Sequence, residues 1–244
     1  SAWFDLYSTD KVVLPALSAD DRARTPAAAY DMSYPEQDTM SDDLRRQAIQ
    51  AYHATISFMD AQVGRVIAAL ERLDLARNTI VVFTSDHGYH LGDHGLWQKR
   101  SLFERSAGVP LIIALPGGQS AGRTAGSPVE LLDIYPTLAA LTGQPAPAYL
   151  DGLNLSPMLD NPDVSVRKAA ITQTRLRNAV QGFSARTPRL RYTEWYDPEG
   201  RPIGTQLYDE EADPMETANL AGLPVHAAEI AALSASIARV RALR

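Results

Sequence analysis

The sequence has 244 residues, 45% of them apolar, so the chain can bury a substantial core as one large domain or as a domain with a smaller lobe. Lys and Arg number 23 against 29 Asp and Glu, and the net charge of −6 argues against non-specific binding to nucleic acid or an anionic membrane. The sequence contains no Cys, which excludes disulfides, thiolate metal ligands and a cysteine nucleophile within this chain.

Residues 1–40 are rich in Pro, Asp and Ala without clear periodicity, and this texture predicts an extended, partly ordered connection. The first residues lack a basic region followed by an apolar one, so they do not resemble a secretory signal. They also lack an initiator Met, and we expect that the upstream part of a longer protein is absent. Any targeting signal would then precede residue 1, which leaves the compartment unassigned. No stretch approaches the ~20 apolar residues of a membrane span.

One long amphipathic helix is predicted from Ser41 to about Leu73. Ser41 is suited to the N-cap, and Asp42 and Asp43 fall in the first turn, where the helix dipole favours anions. Apolar residues then recur at helical spacing, namely Leu44, Ala48, Tyr52, Ile56, Met59, Val63, Ile67 and Leu70.

Two apolar runs without alternation follow the helix. The first is "TIVVFT", Thr79 to Thr84, and the second is "VPLIIAL", Val109 to Leu115. Runs of this kind suit strands that are buried on both faces, as in a parallel sheet covered by helices.

A second helix is predicted after these strands, starting at the capping-box pattern Ser127-Pro128-Val129-Glu130. Pro136 should kink it, and it should stop near Gly143. The order helix, strand, strand, helix indicates an α/β architecture.

The pattern changes after about residue 150, where short alternating segments are separated by Gly, Pro and Asp turns. The segments "KAAITQTR", "NAVQGFSAR", "LRYTEWYD" and "TQLYDEE" predict an antiparallel meander, and a final helix is predicted from about Val225 to Ala242. We therefore divide the chain into an α/β domain at residues 1–150 and a small antiparallel subdomain at residues 151–244.

Chemistry-bearing residues concentrate directly after the first predicted strand. Asp86 and His87 follow it, and three of the five histidines of the chain lie within residues 87–94. In sheets of this class ligands bind beyond the carboxyl ends of parallel strands, and a carboxylate beside an imidazole can ligate a shared cation. Gly88 permits a sharp turn after the pair. The pattern therefore indicates a metal site at Asp86 and His87.

Other interpretations of the same residues stay open. A strand-end Asp-His pair can cap the next turn, His90 and His94 can hydrogen-bond to backbone, and Lys99 can be an ordinary solvated lysine. The arginines that make the C-terminal meander basic are most simply strand-surface residues; they are Arg175, Arg177, Arg186, Arg189 and Arg191. The segment "SYPEQ", Ser33 to Gln37, lies where no helix is predicted, and no nucleophile elbow, phosphate-binding loop or dinucleotide fingerprint is present.

Three blocks read together strongly resemble the sulfatase family of the alkaline phosphatase superfamily, in its iduronate-2-sulfatase and choline-sulfatase types. They are "AYHATISFMDAQVGRVIAAL", "NTIVVFTSDHGYHLGDHGLWQK" and "GVPLIIALPG". The resemblance is high from about Ser41 to Gly143 and weaker at "FDLY", "LRYTEWYD" and "LYDEEADPMETANLA". It implies part of an alkaline-phosphatase-like, mainly parallel sheet with flanking helices, followed by a small antiparallel subdomain with a terminal helix.

The resemblance also implies site residues. Asp86 and His87 correspond to two ligands of a divalent cation, most often Ca²⁺, with Mg²⁺ or Mn²⁺ as alternatives, and His87 stands where Asn is commoner. Lys99 corresponds to a lysine that contacts the sulfate and stabilises charge on the departing ester oxygen. The substrate pocket would be lined by Tyr89, His90, His94 and Arg100.

The family nucleophile is a formylglycine made from Cys or Ser in a C-x-P-x-R or S-x-P-x-R motif. This chain has no Cys, and "SYPEQ" has Gln37 where the motif needs Arg. The resemblance therefore implies the C-terminal portion of a sulfatase, inactive alone, whose partners are its missing N-terminal half and a small sulfate ester. Two alternatives stay open: a phosphonate or phosphate monoester hydrolase, and a non-catalytic interaction module whose exposed sheet edge favours pairing with another subunit or a second copy.

Overall fold

The computed structural model describes residues 2–17, 20–118 and 121–243. Its α-helices are α1 (Asp21–Arg24), α2 (Pro35–Asp38), α3 (Asp42–Arg72), α4 (Glu104–Ala107), α5 (Ile134–Leu141), α6 (Ser156–Asp160) and α7 (Ala227–Arg241). Its strands are β1 (Val81–Thr84), β2 (Leu111–Ala114), β3 (Ala170–Arg175), β4 (Gln181–Arg186), β5 (Leu190–Tyr196) and β6 (Pro202–Asp209). This mixture of helices and strands confirms the α/β class.

The chain forms two compact units. The first consists of Ser1–Ser18, Ser33–Lys99 and Gly108–Ala121, and the second of Ala19–Met32, Arg100–Ala107 and Gly122–Arg244. The predicted domain boundary near residue 150 rests on a change of sequence pattern and stays a prediction.

Helix α3 of the first unit confirms the predicted long helix. Its N-cap is Ser41, whose Oγ accepts a hydrogen bond from the backbone N–H of Leu44 over 3.2 Å, and its last helical residue is Arg72. Among the described residues, no helix combines the length and apolar character that crossing a membrane would require.

Strands β1 and β2 pair antiparallel, so the predicted parallel arrangement is wrong for these two strands. Val81 pairs with Ala114 and Thr84 pairs with Leu111. An uninterrupted apolar run indicates a buried strand, but it does not indicate the direction of the neighbouring strand. Here the connection over residues 85–110 determines that direction. Burial on both faces is also incomplete, since β1 is half-buried and Ile112 of β2 is 57% exposed.

Two further expectations differ from the structure. Residues 1–40 contain short helical turns rather than an extended connection, including the 3₁₀ turns Phe4–Leu6 and Thr9–Lys11 as well as helices α1 and α2. The second predicted helix begins later than Ser127: a 3₁₀ turn at Leu131–Asp133 leads into α5, which ends before Gly143 at φ 67°. Pro136 thereby falls in the first turn of α5, where its missing N–H removes no helical hydrogen bond, so no kink is needed.

The second unit contains the predicted meander. Within the described residues its sheet has the order β3-β4-β5-β6 with every neighbouring pair antiparallel. Helix α7 packs on this sheet, and Leu233 and Ile237 join a core that includes Phe183, Tyr192 and Leu207. The predicted C-terminal antiparallel sheet and terminal helix are therefore confirmed.

Candidate functional site

Asp86 and His87 lie at the end of β1, as the sequence predicts. The chain leaves the strand at Thr84, and the Ser85 hydroxyl donates a hydrogen bond to the carbonyl oxygen of His87 over 2.8 Å, which fixes the turn. Oδ2 of Asp86 and Nε2 of His87 are 3.5 Å apart. The structure therefore brings a carboxylate and an imidazole together in the first unit.

The hydrogen bond of the His87 ring determines which nitrogen can bind a cation. Nδ1 of His87 is 2.8 Å from the carbonyl oxygen of Gly88. A carbonyl oxygen only accepts hydrogen bonds, so Nδ1 carries the proton, and in the neutral ring Nε2 keeps its lone pair. Metal-binding histidines are commonly oriented by such a bond from their other nitrogen.

The pair fits a divalent cation as two of its ligands. Two lone-pair acceptors 3.5 Å apart repel each other unless a proton or a cation lies between them. The Asp86 side chain is 85% exposed and that of His87 34% exposed, so both are accessible to an ion. Within the described part of the chain no group of three or more His, Cys, Asp and Glu side chains is arranged so that it could hold a metal ion, whereas Ca²⁺ takes six to eight oxygen ligands. The remaining ligands would have to come from outside these residues.

The loop after the pair folds back on itself as a small hairpin. The backbone N–H of His90 donates to the carbonyl oxygen of Gln98 over 2.8 Å, and that of Gly92 donates to Leu96 over 2.9 Å. Gly92 has φ 109°, and an added Cβ there would lie 3.0 Å from the Trp97 ring, so this position requires glycine. The hairpin returns the chain at Gln98 to a position opposite His90, and Lys99 follows directly.

His90 and His94 lie in the buried interior of this hairpin. His90 is 0% exposed and His94 is 7% exposed, with their ring centroids 6.1 Å apart in an edge-on arrangement. His94 has φ 56°, a left-handed conformation that few non-glycine residues adopt. These positions favour a packing role, and contact of either ring with a substrate stays a prediction.

The side chain of Tyr89 braces the hairpin. Its ring stacks on Tyr52 of α3 with centroids 5.4 Å apart, and its hydroxyl donates to the Trp97 carbonyl oxygen over 3.2 Å. Nε2 of Gln37 donates to the same oxygen over 3.1 Å. Helices α2 and α3 therefore both hold the loop in place. The sequence pattern did not indicate this anchoring, because α2 begins within "SYPEQ", where no helix was predicted.

Lys99 and Arg100 are both exposed. Lys99 ends the segment of the first unit that contains Asp86, His87 and the hairpin, and Arg100 begins a segment of the second unit. The hydrogen bond between His90 and Gln98 keeps Lys99 at the base of the hairpin. Asp86 and His87 lie just before this base in the chain. The roles predicted for Lys99 and Arg100 stay predictions.

A buried ionic cluster in the second unit escaped the sequence analysis. We call it the Arg191 cluster; its members are Glu104, Arg186, Arg191, Glu210 and Glu216. Nε of Arg191 lies 3.2 Å from Glu210 Oε1 and 3.2 Å from Glu216 Oε1, and the guanidinium also pairs with Glu104. The interpretation of Arg191 as a strand-surface residue is therefore wrong, because its side chain is 3% exposed. No local pattern could pair it with Glu104, 87 residues earlier.

The cluster holds three carboxyl groups against two guanidinium groups, and burial together with these charges shifts the pKa values of the carboxyl groups. Burial raises the pKa of Glu216 to about 8, despite the attraction of Arg191. Burial likewise raises the pKa of Glu210. For Glu104 burial acts in the same direction, but the charges of Arg191 and Arg186 outweigh it and its pKa is lowered.

We expect the free energy of unfolding to fall as pH rises between 4.5, the ordinary pKa of a glutamate, and about 8, the raised pKa of Glu216. Over this window the folded chain keeps a proton on Glu216 that the unfolded chain releases, so deprotonation favours unfolding. Glu216→Gln, whose amide stays neutral, should flatten the decline in thermal unfolding measured at pH 5, 7 and 9. Glu211→Gln, at an exposed neighbour, is the control and should keep the wild-type slope. An unchanged slope in Glu216→Gln would contradict the prediction.

Comparison with family models gives two matches that together cover most of the chain. The model described as Sulfatase matches residues 17–144, and the model described as N-sulphoglucosamine sulphohydrolase, C-terminal, matches residues 92–242. The first match contains Asp86, His87 and Lys99, and the second contains the whole antiparallel sheet.

Curated relatives agree with these models. A sulfatase of Formosa agariphila is 32% identical, with 98% of this chain and 46% of the relative covered. Iduronate 2-sulfatase of Mus musculus is 32% identical, and the match covers 82% of this chain and 48% of the relative. Choline-sulfatase of Rhizobium meliloti is also 32% identical, and the match covers 96% of this chain and 45% of the relative. The chain spans about half the length of these relatives.

Among solved structures, the phosphonate monoester hydrolase of Agrobacterium radiobacter superposes with a TM-score of 0.84 at 25% identity, covering 99% of this chain and 53% of that one. This similarity confirms the predicted fold class, with the correction that β1 and β2 run antiparallel. A family model that matches half of the chain, and relatives that match it almost from end to end, identify this chain as a member of the sulfatase family.

Proposed function

We propose that this chain is part of a sulfuric ester hydrolase and that Asp86 and His87 bind the divalent cation of its active site. One observation carries the proposal: the carboxylate oxygen of Asp86 faces Nε2 of His87 at 3.5 Å, while Nδ1 of His87 is engaged by Gly88. The arrangement leaves the Asp86 carboxylate and Nε2 of His87 accessible and close enough to share one cation, in a chain that belongs to the sulfatase family.

The cation would be held in this chain by Oδ2 of Asp86 and Nε2 of His87. Ca²⁺ is favoured because Asp86 is an oxygen ligand and because a cation of high coordination number accepts one imidazole among many oxygens; Mg²⁺ and Mn²⁺ are alternatives. When bound, a divalent cation polarises the oxygens of the ester group. The role of His87 is to offer Nε2 in the correct tautomer, and that of Asp86 is to supply negative charge beside it.

We assign to Lys99 the stabilisation of negative charge on the substrate. Lys99 follows Gln98 at the base of the hairpin, and the hairpin is braced by Tyr89, Tyr52 and Gln37. A cation held by a braced loop needs little reorganisation when charge develops on the departing oxygen. Tyr89 would act mainly through this bracing.

The nucleophile is proposed to be a formylglycine in a part of the protein outside these residues, where it would supply the attacking oxygen. The nearest motif within the chain is Ser33 to Gln37, and it does not fit. Its Gln37 stands in place of an arginine and is engaged with the Trp97 carbonyl oxygen, and Pro35 begins helix α2. The 244 residues alone are therefore expected to be inactive.

Two other functions are retained as alternatives. A phosphonate or phosphate monoester hydrolase is favoured by the TM-score of 0.84 to a phosphonate monoester hydrolase, since fold similarity alone does not distinguish sulfur from phosphorus esters. A non-catalytic interaction module is favoured by the incompleteness of the ligand set within the described residues.

The test is an ester panel applied to the protein as its own cells make it, and to the 244-residue chain as a control. We expect p-nitrophenyl sulfate to be hydrolysed faster than p-nitrophenyl phosphate or a phenylphosphonate monoester, with loss of turnover on chelation and recovery with Ca²⁺. The 244-residue chain should hydrolyse none of them. Turnover of the phosphorus esters only would establish the first alternative, and a natural product that has the mass of this chain and no turnover would establish the second.

A further inference from the structure

A short segment of the second unit follows Lys99 directly in the chain. Lys99 ends a segment of the first unit, residues Arg100–Ala107 belong to the second unit, and Gly108 begins another segment of the first. We call Arg100–Ala107 the Arg100 segment. Its first side chain is exposed, whereas Leu102 and Phe103 are 3% and 2% exposed. An exposed arginine therefore stands at the beginning of a tightly packed stretch of chain.

Apolar contacts hold the middle of this segment against the sheet of the second unit. A Cβ added at Gly182 of β4 would lie 2.7 Å from Leu102 Cδ1, so Leu102 occupies the space that the glycine leaves. The ring centroid of Phe103 lies 6.1 Å from that of Tyr208 in β6. Because apolar burial is non-directional, these contacts bind the segment to the sheet without determining the orientation of its backbone.

Hydrogen bonds determine that orientation. The backbone N–H of Ser101, the residue after Arg100, donates to Ser106 Oγ over 3.4 Å, and the N–H of Phe103 donates to Ser101 Oγ over 3.3 Å. These bonds close the segment on helix α4, which begins at Glu104. The orientation of Arg100 therefore depends on that of α4.

The Arg191 cluster holds the first residue of α4. Oε2 of Glu216 accepts a hydrogen bond from the Glu104 N–H over 2.7 Å, and the Glu104 carboxylate pairs with Arg191. The Glu216 side chain is 2% exposed, and its Oε1 lies 3.2 Å from Arg191 Nε. Because burial raises the pKa of Glu216 to about 8, its carboxyl group is largely neutral at pH 7 and keeps one carbonyl oxygen as an acceptor. A buried N–H that loses its acceptor is costly, so Glu216 helps to determine where α4 lies.

We propose that Glu216 is a positioning residue for Arg100 in the hydrolysis of the ester. By accepting the Glu104 N–H it holds α4 in the orientation in which the Arg100 guanidinium binds an anionic oxygen of the substrate. A guanidinium binds such oxygens in a fixed, planar geometry, so a small displacement of its backbone weakens the contact. The inference rests on the proposed function and on the substrate role predicted for Arg100.

Three single variants of the intact protein test this role. Glu216→Met removes the acceptor and keeps a side chain of similar size, whereas Glu216→Gln keeps a carbonyl oxygen at the same distance from the backbone. Glu130→Met is the matched control from the same unit. Glu130 also accepts a backbone N–H, that of Ile171 over 2.6 Å, and also pairs with an arginine, Arg167, at 2.9 Å. Both of these partners lie outside the Arg100 segment.

We expect Glu216→Met to raise KM for p-nitrophenyl sulfate ~10-fold and to leave kcat within ~2-fold, since the weakened contact serves the bound ester and its transition state alike. Glu216→Gln and Glu130→Met should keep KM within ~2-fold of wild type. When Arg100→Ala is already present, adding Glu216→Met should raise KM no further, because the contact that Glu216 positions is absent. A further rise in the double variant, or an unchanged KM in Glu216→Met, overturns the proposal.

Amide hydrogen exchange at Glu104 in the same intact proteins separates this inference from the proposed function. The Glu104 N–H should exchange ~10-fold faster in Glu216→Met than in wild type and at the wild-type rate in Glu130→Met. Equal exchange in Glu216→Met and wild type overturns the positioning role, whatever the kinetics. Faster exchange in a protein whose wild type hydrolyses no ester overturns the proposed function and the substrate role of Arg100, and shows that Glu216 only holds α4 in place.

Discussion

Replacing His87 by Ala in the intact protein is expected to lower kcat/KM for an aryl sulfate at least ~100-fold. Removing a residue that only hydrogen-bonds to a metal ligand already lowers activity by up to ~100-fold, and His87 is proposed to be a ligand itself. The substitution removes Nε2, which faces Oδ2 of Asp86 at 3.5 Å, and leaves one carboxylate to hold the cation from this chain. Calorimetric titration with Ca²⁺ should show a parallel loss of affinity. Stability should change little, because the side chain is 34% exposed and its ring hydrogen bond to Gly88 is local.

His226→Ala provides a matched control. Nδ1 of His226 is 2.6 Å from Oε2 of Glu229 in the second unit, so the variant also removes a histidine beside a carboxylate. It should leave both turnover and Ca²⁺ affinity unchanged. Equal activity in the two variants would show that the Asp86 and His87 pair is only a turn cap, which is the simpler interpretation that the sequence left open.

Replacing Arg191 by Met is expected to lower the free energy of unfolding by about 3 kcal/mol near neutral pH. The variant removes the guanidinium that lies 3.2 Å from both Glu210 and Glu216 and leaves their carboxyl groups buried without it. We expect a loss of free energy of unfolding at the lower end of the range for removing one partner of a buried ion pair, for two reasons. The side chain of Glu104 is 36% exposed and keeps Arg186 as a partner, and the raised pKa keeps Glu216 largely protonated. Urea unfolding of the 244-residue chain measures the change.

Arg201→Met is the matched control for this prediction. Arg201 also pairs with two carboxylates, Asp197 and Glu199, but its side chain is 72% exposed. Exposed pairs contribute at most ~1 kcal/mol, so this variant should lie close to wild type. Similar losses in the two variants, or no loss in Arg191→Met, would contradict the view that the Arg191 cluster stabilises the second unit.

Elements with a strong local pattern were predictable. Helix α3 is defined by Ser41 as N-cap, by the acidic first turn and by the apolar residues that recur at helical spacing. All of these signals lie within the helix or directly beside it in the chain. The alternating segments after residue 150 likewise predict the meander, because period-two alternation and turn residues act between sequence neighbours. Helix α5 shows the limit of such patterns: Ser127-Pro128-Val129-Glu130 has the form of a start, but Pro136 is accommodated only when the helix begins later.

The candidate site was predictable in composition and only partly in arrangement. The position of Asp86 and His87 after β1 follows from the end of an apolar run. That the ring of His87 donates to Gly88, and that His90 and His94 turn inward, depends on hairpin hydrogen bonds that no spacing reveals. Tyr52 precedes its contact at Tyr89 by 37 residues, and Gln37 precedes its contact at the Trp97 carbonyl oxygen by 60 residues.

The sequence by itself determined the α/β class, the long helix, the meander and the identity of the residues that follow β1, since each depends on interactions within one or two turns of chain. Only the tertiary structure decided that β1 and β2 run antiparallel, that Arg191 is buried among glutamates, and that His90 is buried. The physical reason is that strand direction, ion pairing and burial are set by which distant segments meet. A periodic pattern records that a face is apolar, but it does not record which segment of the chain covers it.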